Sequence, residues 1–258
     1  MDFVKMEGLG NDFIVVNGPA HIDPAWVQRW CDRRFGIGAD GVLEITRRDR
    51  EHIAMRYWNA DGGEAEMCGN GLRCLARLAV MRQWIDGSSM IVETASGPLP
   101  ATVLADGTVR ALVGTPEIAG APIEIGGMRV HRVAVGNPHA VVFVDDPEVV
   151  DVATLGPLIE TDDHFPRRTN VEFVAVAGLE HIRMRIWERG VGETLASGTG
   201  ATSAAFAAVQ YRDVEAPVQV DLPGGRLAIE LEGAEAWMVG PAHVVYEGRI
   251  TDRPRHST

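Results

Sequence analysis

Apolar and polar residues alternate in short runs over most of the chain, and a two-residue period predicts strands. Val4 to Asn17 alternates on either side of Gly8-Leu9-Gly10-Asn11, which predicts two short strands joined by a tight turn. Asp23 followed by Pro24 predicts a capped helix with Trp26, Val27 and Trp30 on its apolar face, ending near Arg34. Strands follow at Val42 to Thr46 and His52 to Trp58, then a loop over Asn59 to Met67, then a helix over Gly69 to Met81. Met90 to Thr94, Leu99 to Ala105 and Thr108 to Val113 alternate as antiparallel strands, with a hairpin turn at Ala105-Asp106-Gly107. Thr115 to Ala121, with Pro116 and Gly120 inside it and Pro122 just beyond, reads as a linker.

The second half repeats this order. Strands are predicted at Arg129 to Val135 and Ala140 to Val144 around a Gly136-Asn137-Pro138-His139 turn, followed by a helix over Pro147 to Glu160. Phe165 to Asn170 reads as loop, and Val171 to Val176 and His181 to Trp187 as strands. The alanine-rich helix Gly200 to Gln210 is predicted to be packed on all sides. Strands at Val218 to Leu222, Arg226 to Leu231, Ala236 to Val239 and His243 to Ile250 precede a polar tail, Thr251 to Thr258.

The repetition extends to residue identity. Met55 to Ala76 and Met184 to Ala205, offset by 129, share eight of 22 positions: Met, Arg, Trp, Gly, Glu, Gly, Gly and Ala. An offset of half the chain predicts two copies of one structural unit, each ending in a glycine-rich turn that feeds a helix. The expected fold is α+β, with two pseudo-symmetric domains, each a mostly antiparallel barrel-like sheet wrapped around a central helix. The expected division is 1–115, completed by the C-terminal strand 241–258 and carrying Cys68, and 116–240, carrying Ser197.

Composition changes this picture mainly by exclusion. A net charge of −12 without a basic stripe argues against nucleic acid as a partner. The first residues lack the apolar core of a secretory signal, and no apolar run approaches the roughly 18 residues of a membrane span. Cys31, Cys68 and Cys74 form neither an even disulfide framework nor a metal-binding pair, so a cytoplasmic protein with free thiols and no metal is expected. Lys5 is the only lysine, against 23 arginines, so amino-acid chemistry on a pyridoxal Schiff base is not expected. Gly36 to Gly41, GIGADG, fits G-x-G-x-x-G but follows a helix and precedes a strand, the reverse of a dinucleotide loop. A substrate-lining or purely structural turn is the better reading.

The candidate chemistry lies at Cys68-Gly69-Asn70-Gly71 and Ser197-Gly198-Thr199-Gly200, each immediately before a helix. A helix start offers unpaired N–H groups and partial positive charge, and glycines let a ligand approach the backbone. Two such turns facing one another would grip a carboxylate, and the same field favours a thiolate at Cys68. Cys74 and Cys31 read as packing residues. Ser197 does not lie in G-x-S-x-G, which argues against a hydrolase elbow.

Several motifs together resemble the diaminopimelate epimerase family. They are Lys5-Met6 with Gly8 to Phe13, Asp32-Arg33-Arg34 with Gly36 to Gly41, Asn59 to Gly62, Glu64 to Gly71, Gly136 to His139, Asn170-Val171, Glu188 to Gly190 and Gly192 to Thr194. The resemblance runs from Lys5 to about Gly248. It implies a cofactor-independent, two-base isomerase that interconverts LL- and meso-diaminopimelate, works as a homodimer and takes a small-molecule substrate.

Carried over by motif, Cys68 and Ser197 hold the catalytic positions, and His139 and Glu188 resemble the pair that tunes them. Asn11, Asn59, Asn137, Asn170, Glu188 and Arg189 resemble the substrate-binding set, with Asn59, Asn170 and Arg189 at the distal centre. Gly69-Asn70 and Gly198-Thr199 would supply donors to the reacting carboxylate, and Tyr246 resembles a dimer-interface residue. Ser197 departs from the family, which has its second cysteine there. That leaves open a serine-using branch, a substitution made to prevent a disulfide with Cys68, or a one-base dehydratase or racemase of a smaller amino acid. A form that binds diaminopimelate without full activity also fits.

Overall fold

The computed structural model describes residues 1–65 and 67–251. Glu66, in the motif before Cys68, and the tail beyond Thr251 lie outside the described residues. The chain forms two units: Met1–Ala111 together with the segment from Gly240 onward, and Leu112–Val239.

In the first unit, β1 (Asp2–Gly8) and β2 (Asn11–Asn17) form a hairpin, and α1 (Pro24–Cys31) leads to β3 (Gly41–Arg47). Strands β4 (His52–Asn59) and β5 (Glu64–Ala65) precede α2 (Gly69–Met81), which is followed by β6 (Ser89–Thr94), β7 (Gly97–Val103) and β8 (Val109–Gly114), within which the first unit ends. The second unit opens with β9 (Glu117–Ile118) and β10 (Ile123–Ile125). It then repeats the order with β11 (Met128–Ala134), β12 (Pro138–Phe143), α3 (Val152–Glu160), β13 (Asn170–Gly178), β14 (His181–Glu188), β15 (Gly192–Thr194), α4 (Gly198–Tyr211), β16 (Val218–Leu222), β17 (Gly225–Glu232) and β18 (Glu235–Gly240). Strand β19 (His243–Arg249) returns to pair with β1.

Most strand pairs are antiparallel. The parallel ones are those joined through a helix: β2 with β3, β4 with β6, β12 with β13 and β14 with β16. A parallel pair needs a long crossover, and α1 to α4 supply it. The duplicated units thus match element for element from β1 to β8 and from β11 to β18.

Some boundaries differ from the sequence reading. Helix α1 stops at Cys31 because Asp32 Oδ1 accepts the backbone N–H groups of Arg34 and Phe35, each at 2.7 Å, and this turn competes with another helical one. The helix expected over Pro147 to Glu160 is split into a short 3-10 turn, Pro147–Val149, and α3, because Asp151 caps a second start by accepting from Thr154 N at 3.2 Å. The expected linker Thr115 to Ala121 contains β9, which pairs with β11 and so belongs to the second unit.

Each unit is built on one buried helix. Leu72, Cys74, Leu75 and Ala76 of α2 are wholly buried, and the helix packs against β1 to β4, β6, β7 and β19. Helix α4 packs against β11 to β14, β16 and β17, with Ala201, Ala204, Ala205, Ala207 and Ala208 wholly buried. Small side chains let a helix sit against strands on every side. Among the described residues no helix is long and apolar enough to cross a membrane.

Leu43 supports the first turn of α2, since its Cδ2 lies 2.9 Å from where a Cβ on Gly71 would stand. Leu43→Ala is expected to lower unfolding stability by about 2 to 5 kcal/mol in urea titrations.

Candidate active site

Cys68 is the N-cap of α2, with extended backbone at φ −140° and ψ 113°. Its Sγ accepts from Gly71 N at 3.4 Å and faces Asn11 Oδ1 at 3.7 Å. Asn11 Oδ1 also accepts from Asn70 Nδ2 at 3.2 Å, while Asn11 Nδ2 donates to Asp40 Oδ2 at 2.7 Å. Behind these lies an ion network. Arg33 bonds both Asp12 and Asp40 at 2.7 Å, and Lys5 Nζ contacts Asp12 at 2.6 Å while donating to Gly38 O. Burial would raise the Asp12 carboxyl, but hydrogen bonds from Arg33 and Lys5 outweigh it and hold the group at about 2. The glycine turn Gly36 to Gly41 is thus a structural partner of β1 and β2, fastened through Gly38 O and Asp40.

Cys74 and Cys31 are buried, and burial pushes both thiols up, Cys31 to about 12. Neither is suited to proton transfer near neutral pH. Arg73, on α2, is wholly buried and donates from Nε to Pro241 O at 3.2 Å. Asn59, at the end of β4, is exposed.

The second unit repeats the cap. Ser197 precedes α4 with φ −139° and ψ 126°, and its Oγ accepts from Gly200 N at 3.3 Å. Its neighbours differ from those of Cys68. His139 Nδ1 lies 2.6 Å from Glu172 Oε1, both side chains are wholly buried, and His139 Nε2 lies 2.9 Å from Asn137 Oδ1. A Cβ on Gly200 would stand 3.1 Å from Glu172 Oε1 and 3.2 Å from Ser197 Cβ, which places this carboxyl at the opening of α4.

Glu172 is therefore the partner of His139, and sequence reasoning did not single it out. Glu188, expected to share the tuning role with His139, accepts from Thr194 Oγ1 at 2.6 Å and reaches Glu172 through its charge. Burial outweighs the opposing attraction of His139 and pushes the Glu172 carboxyl up.

Asn170, expected to bind substrate, has both ends of its amide engaged by backbone. Its Nδ2 donates to Pro138 O at 3.1 Å, and its Oδ1 accepts from Arg189 N at 2.9 Å. Its effect is to place Arg189, whose exposed guanidinium donates to Arg167 O at 3.2 Å. Glu160, also missed in the sequence, steadies the same loop by accepting from Trp187 Nε1 at 2.7 Å and Gly190 N at 3.0 Å. Tyr246 is 44 % exposed on β19. Among the described residues no cluster of three or more His, Cys, Asp or Glu could hold a metal ion.

Solved structures define the fold first. The chain resembles a phenazine biosynthesis protein of the PhzF family from Bacillus anthracis, with a TM-score of 0.73 and 16 % identity over 97 % of this chain and 98 % of the other. It also resembles a hydroxyproline epimerase from Agrobacterium vitis, with a TM-score of 0.70 and 15 % identity over 97 % and 90 % of the two chains. Sequence then narrows the class. The diaminopimelate epimerase family model matches residues 3–119 and 132–245. Diaminopimelate epimerases from Pseudomonas aeruginosa (strain LESB58) and Pelotomaculum thermopropionicum are each 42 % identical, covering 96 % and 98 % of this chain and 98 % and 100 % of their own lengths. The chain belongs to the diaminopimelate epimerase family, and it is an isomerase.

Because folding raises the Glu172 carboxyl above its usual 4.5, the folded protein holds a proton that the unfolded chain releases. Stability from this group is complete below the unfolded value and is lost as pH rises through the folded one. Glu172→Gln keeps the shape, can donate to His139 Nδ1 and carries no such slope. Urea unfolding at several pH values is expected to show the variant gaining on the parent as pH rises above the unfolded value of 4.5. A pH-independent difference would exclude a neutral Glu172.

Proposed function

We propose that the protein interconverts LL- and meso-diaminopimelate by moving a proton at one α-carbon, with Cys68 and Ser197 as the two proton-transferring groups. One observation carries the assignment: the two residues occupy the same cap position in the duplicated units, with matching backbone angles and the same bond from the third amide of the helix. Inversion requires removing a proton from one face of the carbon and returning one to the other. The carbanion is stabilised through its carboxylate, which takes on charge as the proton leaves and meets the N–H groups of Gly69-Asn70 and Gly198-Thr199 at two helix starts. Both helices are long enough for this, with 13 residues in α2 and 14 in α4.

Specificity for a substrate with a second amino-acid centre comes from Arg189, whose planar guanidinium matches a distal carboxylate. Asn59 and Asn170 complete that end, the first as a direct donor and the second by fixing Arg189. Asn11, Asn137 and Glu188 line the reacting end. The reaction proceeds without pyridoxal phosphate: Lys5, the only lysine, is buried in its ion pair with Asp12. A cytoplasmic homodimer formed through the face carrying Tyr246 completes the reading.

Ser197 sets the rate. A hydroxyl gives up its proton far less readily than a thiol, so the step through Ser197 is the slow one. Incubation with LL-diaminopimelate in deuterated water is expected to yield the meso isomer with deuterium at the inverted α-carbon. Cys68→Ala should reduce that exchange by about 10² to 10⁴-fold, the usual contribution of one general acid or base. Ser197→Cys should raise kcat. Binding without exchange or inversion would replace the two-base reading with a substrate-binding protein. Unchanged turnover in Ser197→Cys would remove the serine from the slow step.

A further inference from the structure

Asp40 takes no part in the mechanism above, yet its position decides what the Cys68 sulfur meets. The residue is held at three points: Oδ1 accepts from Arg33 NH2 at 2.7 Å, Oδ2 accepts from Asp12 N at 3.1 Å, and the backbone N–H donates to Asp12 O at 2.9 Å. Asp12 is in turn fixed by Lys5 and Arg33. The remaining bond of Oδ2 is from Asn11 Nδ2 at 2.7 Å.

An ionised carboxylate only accepts hydrogen bonds, so it can meet the NH2 end of an amide and never its carbonyl end. The Asn11 amide is thereby turned one way round. Asn70 Nδ2 donates to the oxygen so presented, at 3.2 Å, but its own amide can turn with that of Asn11, so the carboxylate is what sets the direction. The group facing Cys68 Sγ at 3.7 Å is therefore a carbonyl oxygen. A carbonyl favours S–H over S⁻, since it can accept from the first and is repelled by the second. Gly71 N–H can donate to sulfur in either state.

We infer that Asp40 is a positioning residue that, by orienting the Asn11 amide, sets a carbonyl oxygen against the Cys68 sulfur and so tempers, without abolishing, the thiolate that serves as the base. The inference rests on the proposed function only in taking Cys68 as a proton-transferring group. Other charges face this region from each neighbouring element. Lys5 and Glu7 lie on β1, Asp12 on β2, Arg33 between α1 and β3, and Arg73 on α2 with an interaction that reaches both Cys68 and Glu7. The α2 start and Arg73 favour the thiolate, and the Asn11 carbonyl opposes them.

The test is the pH dependence of Cys68 alkylation by iodoacetamide, followed by mass spectrometry on the full-length protein. The thiols of Cys31 and Cys74 are buried and do not compete. Asp40→Ala frees the amide to present NH2 to the sulfur, and the alkylation midpoint should fall by about 0.5 to 1 pH unit, the worth of one hydrogen bond. Asn11→Ala removes the carbonyl and should also lower the midpoint. In the Asn11→Ala background, Asp40→Ala should then have no further effect. An equal fall with and without Asn11 would mean that Asp40 acts by its charge alone, and an unmoved midpoint in Asp40→Ala would mean that it does not act on Cys68; either result overturns the inference. If circular dichroism shows that Asp40→Ala is not folded, the same cycle run with Asp40→Asn decides the matter. The readout involves no turnover. A protein that does not epimerise but shows the non-additive cycle retains this role for Asp40, whereas an additive cycle in a fully active enzyme removes this role alone.

Discussion

A helix buried on all sides by strands cannot send the N–H groups of its first turn to water, and this constraint organises each unit. Those groups need acceptors from a cap side chain, from loop residues or from a ligand. In α2 and α4 the cap atom is small, Sγ of Cys68 or Oγ of Ser197, and reaches one amide, that of Gly71 or Gly200. In the proposed reaction the residues that follow the cap, Gly69-Asn70 and Gly198-Thr199, offer their amides to the substrate carboxylate. The glycines are required by the core as well. At Gly71 a Cβ would meet Leu43 at 2.9 Å, and at Gly200 it would meet Ile186 at 2.4 Å.

How much of this was legible depends on how many residues carried each signal. The repeat of Met55 to Ala76 at Met184 to Ala205 made the duplication, both central helices and both caps visible, because its shared glycines mark turns with steric demands. Parallel pairing at the four helical crossovers was not visible, since alternation defines a strand's faces and says nothing about which neighbour it finds. Strands β5 and β15, of two and three residues, are too short to show a period at all.

The polar partners were hidden for a different reason. Glu172 sits in VEFVAV, where a charged residue between valine and phenylalanine reads as the solvent side of a strand, yet it is wholly buried because His139 stands on the paired strand β12. Asp40 lies in GIGADG, whose glycines draw attention to the backbone although the motif's carboxylate makes the contact with Asn11. Asn170 reads in the sequence as a substrate-binding position, but the bonds of its amide to two backbone groups were not legible there. Sequence periodicity reports burial and turns; it does not report which buried polar groups find each other.

The mismatch between Cys68 and Ser197 is best understood through these neighbours. As caps the two side chains are equivalent: the backbone angles agree within 13° and the bonds to the helix within 0.1 Å. The fold therefore accepts either residue, and the difference between a thiol and a hydroxyl is purely chemical. Around Cys68 the adjacent groups are an amide and a carboxylate held in an ion network with Lys5 and Arg33, a fixed array with Asp12 charged over the working pH range. Around Ser197 the adjacent group is Glu172, whose carboxyl is pushed by burial toward its protonated form and is bonded to an imidazole. A hydroxyl, the poorer acid of the two caps, has more need of a neighbour that can supply or take up a proton. In this chain it occupies the unit whose helix start is lined by such a carboxyl.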